Sequence, residues 1–426
     1  MHITIDVQQR ARGDETNMAV SPRTRIDDVT ILERVLDTGR RDDFEGYSKH
    51  DGLNARWLER LAGTSRPRRL VAIQSVMRSP IDIRPIVGVR KARNAKGLSL
   101  FARALLSRSR VTGEQHYATE AAELLDWLIA NPSPAMAPSA DAPGFPGMGW
   151  GYPYPWQDVG FFAPRFFPNR VVTAHVGQAL LDAYETLHEP RFLDATKEVM
   201  RFLLKAPKTL YEDDDTRCVS YVPDEAIDWI VMDVSVLVGA LAARLGALID
   251  DPALITEGGR LVRYVVSKQT DEGAWFYAEP PSASHITHDN YHTGFILDAI
   301  LNYGIAAKSD EFEKSYQRGI EFYEQRLFEP DGSARFMSDR HYPIDIHGCA
   351  QGVITFSLRR RHDGTGEAMA RKVLDWTIAN MWDPKTAWFY YQKRPGYRTR
   401  IRELRWCQGW MSWALACHLE ISGEQP

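Results

Sequence analysis

Residues 289–303 read DNYHTGFILDAILNY, and residues 309–328 read SDEFEKSYQRGIEFYEQRLF. Both segments are helical in pattern, but they are helices of different kinds. The first is apolar nearly all round, so it has to be buried on more than one side. The second places Phe312, Tyr316, Ile320, Tyr323 and Leu327 on one face with charges elsewhere, which describes a helix with one side in water. The turn EPDGSARF, with its Asp331-Gly332 pair, closes the unit.

The same order recurs along the chain. VVTAHVGQALLDAYETL (171–187) precedes EPRFLDATKEVMRFLLK, and IVMDVSVLVGALAARLGAL (230–248) precedes PALITEGGRLVRYVVSK and the turn QTDEGAWFY. DIHGCAQGVITFSL (345–358) precedes GEAMARKVLDWTIANMW and DPKTAWFYY. KGLSLFARALLSR with YATEAAELLDWLIAN forms an earlier unit, and LRWCQGWMSWALACHLE (404–420) is a last inner helix without its partner. From the second unit on, the starts are spaced by roughly 55–60 residues. A buried helix needs neighbours on both sides. Closing the set into a ring supplies them, with the one-sided helices wrapped outside. The expected fold is therefore all-α, an (α/α)6 toroid of six hairpins with short β-hairpin turns. It occupies residues 41–426 as one domain, after an irregular N-terminal segment at 1–40. The missing outer helix is expected from the region before residue 97, for example LNARWLERLAG (53–63). An open solenoid of the same hairpins is the rival arrangement.

Composition narrows the function classes. Hydrophobic residues make up 44% and charged residues 25% of the 426, as in soluble globular proteins. The net charge of −4 argues against nucleic acid or an anionic membrane as partner. Cys218, Cys349, Cys407 and Cys417 are scattered, so neither a disulfide framework nor structural zinc is expected. The first residues have no apolar signal region, and no apolar run is long enough to span a bilayer. A cytoplasmic location is the expectation; oligomeric state is not specified.

In a ring of hairpins the loops entering the inner helices meet at one mouth. Polar residues at the inner-helix starts should then converge: His175 and Gln178, Asp289 and His292, Asp345, His347 and Gln351, then Arg405, Trp406 and Gln408. Near a core, such groups are costly unless paired or bound to a ligand. Asp289 and Asp345 also read as helix N-caps, and His175 as a satisfied core histidine. A zinc ion could use His292, His347 and Asp289, but no HxxxH or HExxH spacing supports it. No metal and no cofactor are expected.

MGWGYPYPWQDVGFFAPRFFPN (148–169) is too rich in proline and glycine for regular helix. Its rings, Trp150, Tyr152 and Trp156 among them, suit the C–H faces of sugars, and Gln157, Asp158 and Arg165 suit hydroxyls or a carboxylate. The bland reading is a lid packed by its own rings. FEGYSKHDGLNARW (44–57), with Tyr47, Lys49, His50 and Asp51, has the same character. Asp213, Asp214 and Asp215 read as an exposed acidic turn.

The hairpin count, GWGYPYPWQD and QTDEGAWFY resemble the toroidal glycan-active enzymes. DNYHTGFILDAI, YPIDIHGCAQ and RWCQGWMSWAL further resemble a family encoded among polysaccharide-synthesis genes, over roughly residues 40–420. The resemblance implies a carbohydrate-active enzyme that cleaves or modifies a polysaccharide or oligosaccharide, uronates included. Hydrolysis would use Asp289 and Asp345 as the acid/base carboxylates. A lyase or epimerase would use His292, His347 or Tyr291 to move a proton, and Arg165, Arg405 or Gln351 to neutralise the sugar carboxylate. Asp289, Asp345, His292 and His347 are the catalytic candidates. The substrate-binding set is Trp150, Tyr152, Trp156, Gln157, Asp158, Arg165, His175, Tyr291, Gln351, Arg405, Trp406 and Gln408. Two other classes stay open: a toroidal terpene or prenyl cyclase, because Gln269, Gly273 and Trp275 match QxxxGxW, and a non-catalytic glycan-binding protein.

Overall fold

The computed structural model describes residues 27–139, 142–284 and 286–423. Helix α1 (Asp28–Arg41) is followed by three short helices, α2 (Arg56–Ala62), α3 (Arg66–Met77) and α4 (Arg84–Val87). Long helices then alternate: α5 (Ala95–Thr112), α6 (Gln115–Ala130), α7 (Arg170–Leu187), α8 (Pro190–Lys205), α9 (Met232–Leu248) and α10 (Pro252–Val266). The series ends with α11 (Asn290–Ala307), α12 (Glu313–Arg326), α13 (Ile346–Asp363), α14 (Glu367–Met381) and α15 (Trp410–Ser422). The odd-numbered helices from α5 to α15 pack side by side, and α15 returns to α5. This closes an inner ring, with α6, α8, α10, α12, α14 and α1 outside it. The molecule is an all-α (α/α)6 toroid, and the solenoid is excluded by that closure. All six segments read as apolar all round lie in the inner ring.

Local chemistry explains the helix starts. Asn94, Asn169, Asp289 and Asp345 each cap an inner helix by accepting a first-turn backbone N–H, which satisfies a donor that has no partner within the helix. The last inner helix enters differently, through a π-helical turn at Leu404–Gly409.

One expectation is corrected. Residues 28–40 are not irregular, and LNARWLERLAG does not supply the sixth outer helix; α1 does. Ile31, Leu32, Val35 and Leu36 recur at helical spacing and are fully buried, on a helix that packs against α15. Asp28 pairs with Arg371 of α14. By contrast α2 leaves Trp57 53% and Leu61 66% exposed. The expectation for residues 1–26 lies outside the described residues.

The β structure consists of short antiparallel pairings at the helix connections. QTDEGAW is a clamp between hairpins: Gln269 Nε2 donates to Ser315 O (2.9 Å), its Oε1 accepts from Ser315 Oγ (2.8 Å), and Trp275 Nε1 donates to Val265 O (2.9 Å). Gly273 (φ +91°) and Gly332 (φ +91°) hold equivalent turns, where a Cβ would stand 2.5 Å from Arg318 O and 2.6 Å from Lys372 O. Asp213, Asp214 and Asp215 are exposed between strands Thr209–Glu212 and Arg217–Val219. The four cysteines are buried and free. Among the described residues no helix is long and apolar enough to cross a membrane.

Candidate active site

The first turns of the inner helices deliver their side chains to one end of the barrel. Asp289, capping α11, also holds the His292 ring: Nδ1 lies 2.8 Å and 3.0 Å from the two carboxylate oxygens. In the neutral ring this pairing places the proton on Nδ1 and presents Nε2 as the acceptor. Among the described residues Nε2 has no hydrogen-bond partner, and the side chain is 16% exposed. Tyr291 stands between the two histidines, 4.2 Å from the His292 ring and stacked on His347 at 4.4 Å. His347 is 1% exposed, and both of its nitrogens lack partners. Trp406 and Trp410 close around it at 4.4 Å and 4.3 Å.

Asp345 is saturated. Its Oδ1 accepts from the His347 backbone N–H (3.0 Å) and the Trp406 indole (2.7 Å), and its Oδ2 from Gln392 Nε2 (2.9 Å). The Lys49 ammonium lies 3.7 Å away and 3.8 Å over the Trp406 ring. Lys49 reaches the centre because its segment is anchored from below. Arg84, fully buried, bonds Asp51 (2.8 Å) and Glu403 (2.9 Å). Arg405 donates to Ser48 Oγ (3.0 Å) and faces the rings of Tyr152 (5.2 Å) and Trp406 (5.1 Å). The aromatic segment covers this end. Tyr152 stacks on Tyr154 (5.5 Å), Trp156 meets both Tyr152 and Tyr221, and Tyr154 OH donates to Lys49 O (2.8 Å).

The electrostatics follow from burial among these charges. Burial lowers His347 well below the usual histidine range, and Lys96, Lys49 and Arg405 push the same way. Burial likewise lowers Lys49 and Lys96 and raises Asp233. Tyr277 and Tyr291 are pushed well above the usual tyrosine range by burial and by nearby carboxylates, Asp158 included. The His347 imidazole is thus surrounded by Lys49, Lys96 and Arg405.

Asp289, Tyr291, His292, Asp345, His347 and Trp406 lie in contact with one another, and Arg405, Tyr152 and Trp156 adjoin them, with Asp158 near enough to act on Tyr291 through its charge. Others do not join them. Arg165 bonds Asn54 and Pro153 O near the outer surface. Gln408 is spent on Phe389 N, Thr38 Oγ1 and Ala387 O, beneath α1. Trp150 donates to Leu128 O (3.1 Å), a wall contact, and Gln157 closes its own small hairpin through Phe161 O (2.9 Å). His175 and Gln351 sit one turn deeper, on a cavity that opens at the opposite end. Each sits a turn further along its helix than the first-turn residues. Lys96 and Asp233 are the additions, and Lys49, singled out with its turn-rich segment but not placed in the site, joins them. Lys96 and Asp233 each stand just inside a buried helix, in the register that singled out His347. Among the described residues no group of three or more His, Cys, Asp or Glu side chains is placed to hold a metal.

A closed double ring with polar first turns at one end defines an (α/α)6 toroid, and solved toroids superimpose on it. A cellobiose 2-epimerase from Bacillus thermoamylovorans B4167 matches with a TM-score of 0.61 at 12% identity, over 79% of this chain and 90% of that one. A GH76 α-mannanase from Bacteroides thetaiotaomicron gives 0.58 at 11%, over 77% and 86%. An unsaturated glucuronyl hydrolase specific for heparin gives 0.57 at 10%, over 92% and 99%. At these identities the fold is what is shared. No protein-family model and no curated protein matches the sequence.

Proposed function

We propose that the protein is a carbohydrate-active enzyme that removes a proton from a ring carbon of a saccharide, with His292 as the base. The observation that carries this reading is the Asp289–His292 pair: a carboxylate 2.8 Å from Nδ1 and, on a side chain 16% exposed, an Nε2 with no hydrogen-bond partner among the described residues. A base needs a fixed tautomer and a lone pair within reach of the substrate. Asp289 and Asp345 do not supply the acid of a hydrolase. Asp345 already accepts three hydrogen bonds, and Asp289 is engaged by His292. Both are positioning groups in this reading.

The step conserves atoms and charge. Nε2 takes the proton on the carbon next to a sugar carboxylate, and the C–H electron pair moves onto that carboxylate as an enolate. Lys49 and Arg405 offset the added negative charge. In an epimerisation water returns a proton to the opposite face, and Nε2 then releases its own proton to solvent. In an elimination the pair expels the glycosidic oxygen on the next carbon, which takes the proton held on Nε2. Toroids whose fold this chain shares include sugar epimerases, a D-mannose isomerase and a polysaccharide lyase, which supports proton-transfer chemistry on this scaffold.

The test is a panel of uronate and neutral polysaccharides and oligosaccharides, read by ultraviolet absorbance of unsaturated uronates, by product stereochemistry and by new reducing ends. The expected result is an unsaturated or epimerised product that disappears in His292→Gln. New reducing ends with saturated, unepimerised sugars and full activity in His292→Gln would overturn it.

A further inference from the structure

Below the mouth, Phe295 and Trp410 form a floor beneath His347, 5.5 Å and 4.3 Å from its ring. Under that floor lies an axial cavity of about 380 Å³. It runs from the second turns of α7 and α13, at His175 and Gln351, and the start of α15, at Trp410, to the last turns of the inner helices, at Glu185, Arg361 and Glu420. It therefore opens at the end of the barrel opposite His292. We infer that this cavity is a second binding site, for an uncharged saccharide of one or two rings.

Three observations assign the ligand class. The first is the walls: Phe295, Trp410 and Trp413 line the cavity among Gln178, Asn302 and Asp298, with Arg103 4.0 Å over one face of Trp413 and His347 stacked on Trp410, so that aromatic rings and planar polar groups stand together as a sugar's C–H face and hydroxyls demand. The second is the inner end, where Gln351 (1% exposed) and His175 (8% exposed) line the cavity while Gln351 Oε1 and His175 Nε2 lack partners among the described residues. Asp298 Oδ1 also lacks one. An unmet buried polar atom is unfavourable, and hydroxyls satisfy these groups without bringing a charge. The third is charge: the cations here are already neutralised. Asp182 binds Arg103 (2.6 Å) and Arg244 (2.7 Å), and Glu420 binds Arg110 (2.7 Å) and lies 4.0 Å from Arg361. An anionic ligand would have to displace those carboxylates, whereas a neutral one leaves them in place. The site does not depend on the chemistry proposed for the mouth.

Calorimetric titration of the whole protein with glucose, mannose, galactose, maltose and cellobiose tests this, with inorganic phosphate and glucuronate as the anionic arm. At least one neutral sugar is expected to bind saturably. Its affinity should fall about tenfold or more in Gln351→Met, which keeps volume and removes the acceptor, one well-made hydrogen bond being worth roughly that factor. Trp413→Leu should weaken it independently, and His292→Gln should leave it unchanged. Thermal melts of each variant identify misfolding, and a crystal soaked with the binding sugar reads occupancy without any substitution. No neutral sugar binding up to about 10 mM, a weak limit on this scale, would overturn the inference. So would binding only of phosphate or glucuronate, binding abolished by His292→Gln but not by Gln351→Met, or soaked density confined to the mouth.

Discussion

Asp289 and Asp345 are both helix caps, yet their surroundings assign them different work. Asp289 gives its oxygens to one histidine side chain and one backbone N–H. Asp289→Asn can still cap, since asparagine caps about as well as aspartate, but it no longer fixes the His292 tautomer. Turnover should fall about 100-fold while urea unfolding moves by less than about 1 kcal/mol. An Asp289→Asn enzyme with native turnover would contradict the pairing. Asp345 meets three donors and a lysine, so Asp345→Asn turns an amide N–H toward other N–H groups. It should cost about 1–3 kcal/mol of stability, measured the same way, and unchanged stability would contradict the assignment. The capping roles were legible in the sequence, because Asp before an apolar helix is a local signal. The saturation of Asp345 was not: Gln392 and Trp406 reach it from strand Gln392–Arg394 and from the π-helical turn, and spacing along the chain carries no record of that.

At the scale of elements, the inner helices were readable because a helix with no polar face has a single solution, burial all round. The sixth outer helix was misplaced because LNARWLERLAG and DVTILERVLDTGR both carry helical patterns, and only packing against α15 decides between them. The equivalent turns at Gly273 and Gly332 set how each hairpin meets the next outer helix. Gly273→Ala combines a positive φ with a Cβ 2.5 Å from a backbone oxygen, whereas Gly396 (φ +81°) has nothing within 4 Å. Gly273→Ala should cost about 1–3 kcal/mol and more than Gly396→Ala. Equal losses in parallel urea titrations would show that the close approach to α12 relaxes freely.

Across the whole molecule, the ring sends first turns to one end and last turns to the other, and it strands titratable groups along the axis. Asp298, deep in the axial cavity, is pushed up to about 7 by burial, against hydrogen bonds from Thr355 and Gln351 and the charge of Arg103. From the ordinary aspartate range to about 7, the folded chain keeps a proton that the unfolded chain has released, so this residue's contribution to stability falls as pH rises through that window. The buried histidines His175 and His347, lowered by burial, act in the opposite sense, so the informative quantity is a difference. Asp298→Asn should gain stability relative to wild type between about pH 4 and pH 7; a constant difference across those titrations would contradict the shift. The sequence showed that polar residues enter a buried ring, but not which end each one serves, because one helical turn separates a mouth residue from a cavity residue.

The claim that most needs testing is that His292 removes a carbon-bound proton. Hexuronate oligosaccharides incubated with the enzyme in D₂O and followed by proton NMR report this directly. The account predicts loss of one ring C–H signal, the one next to the carboxylate, by deuterium exchange or by elimination, and its retention in His292→Gln. Turnover that leaves every ring C–H signal at full intensity would contradict it.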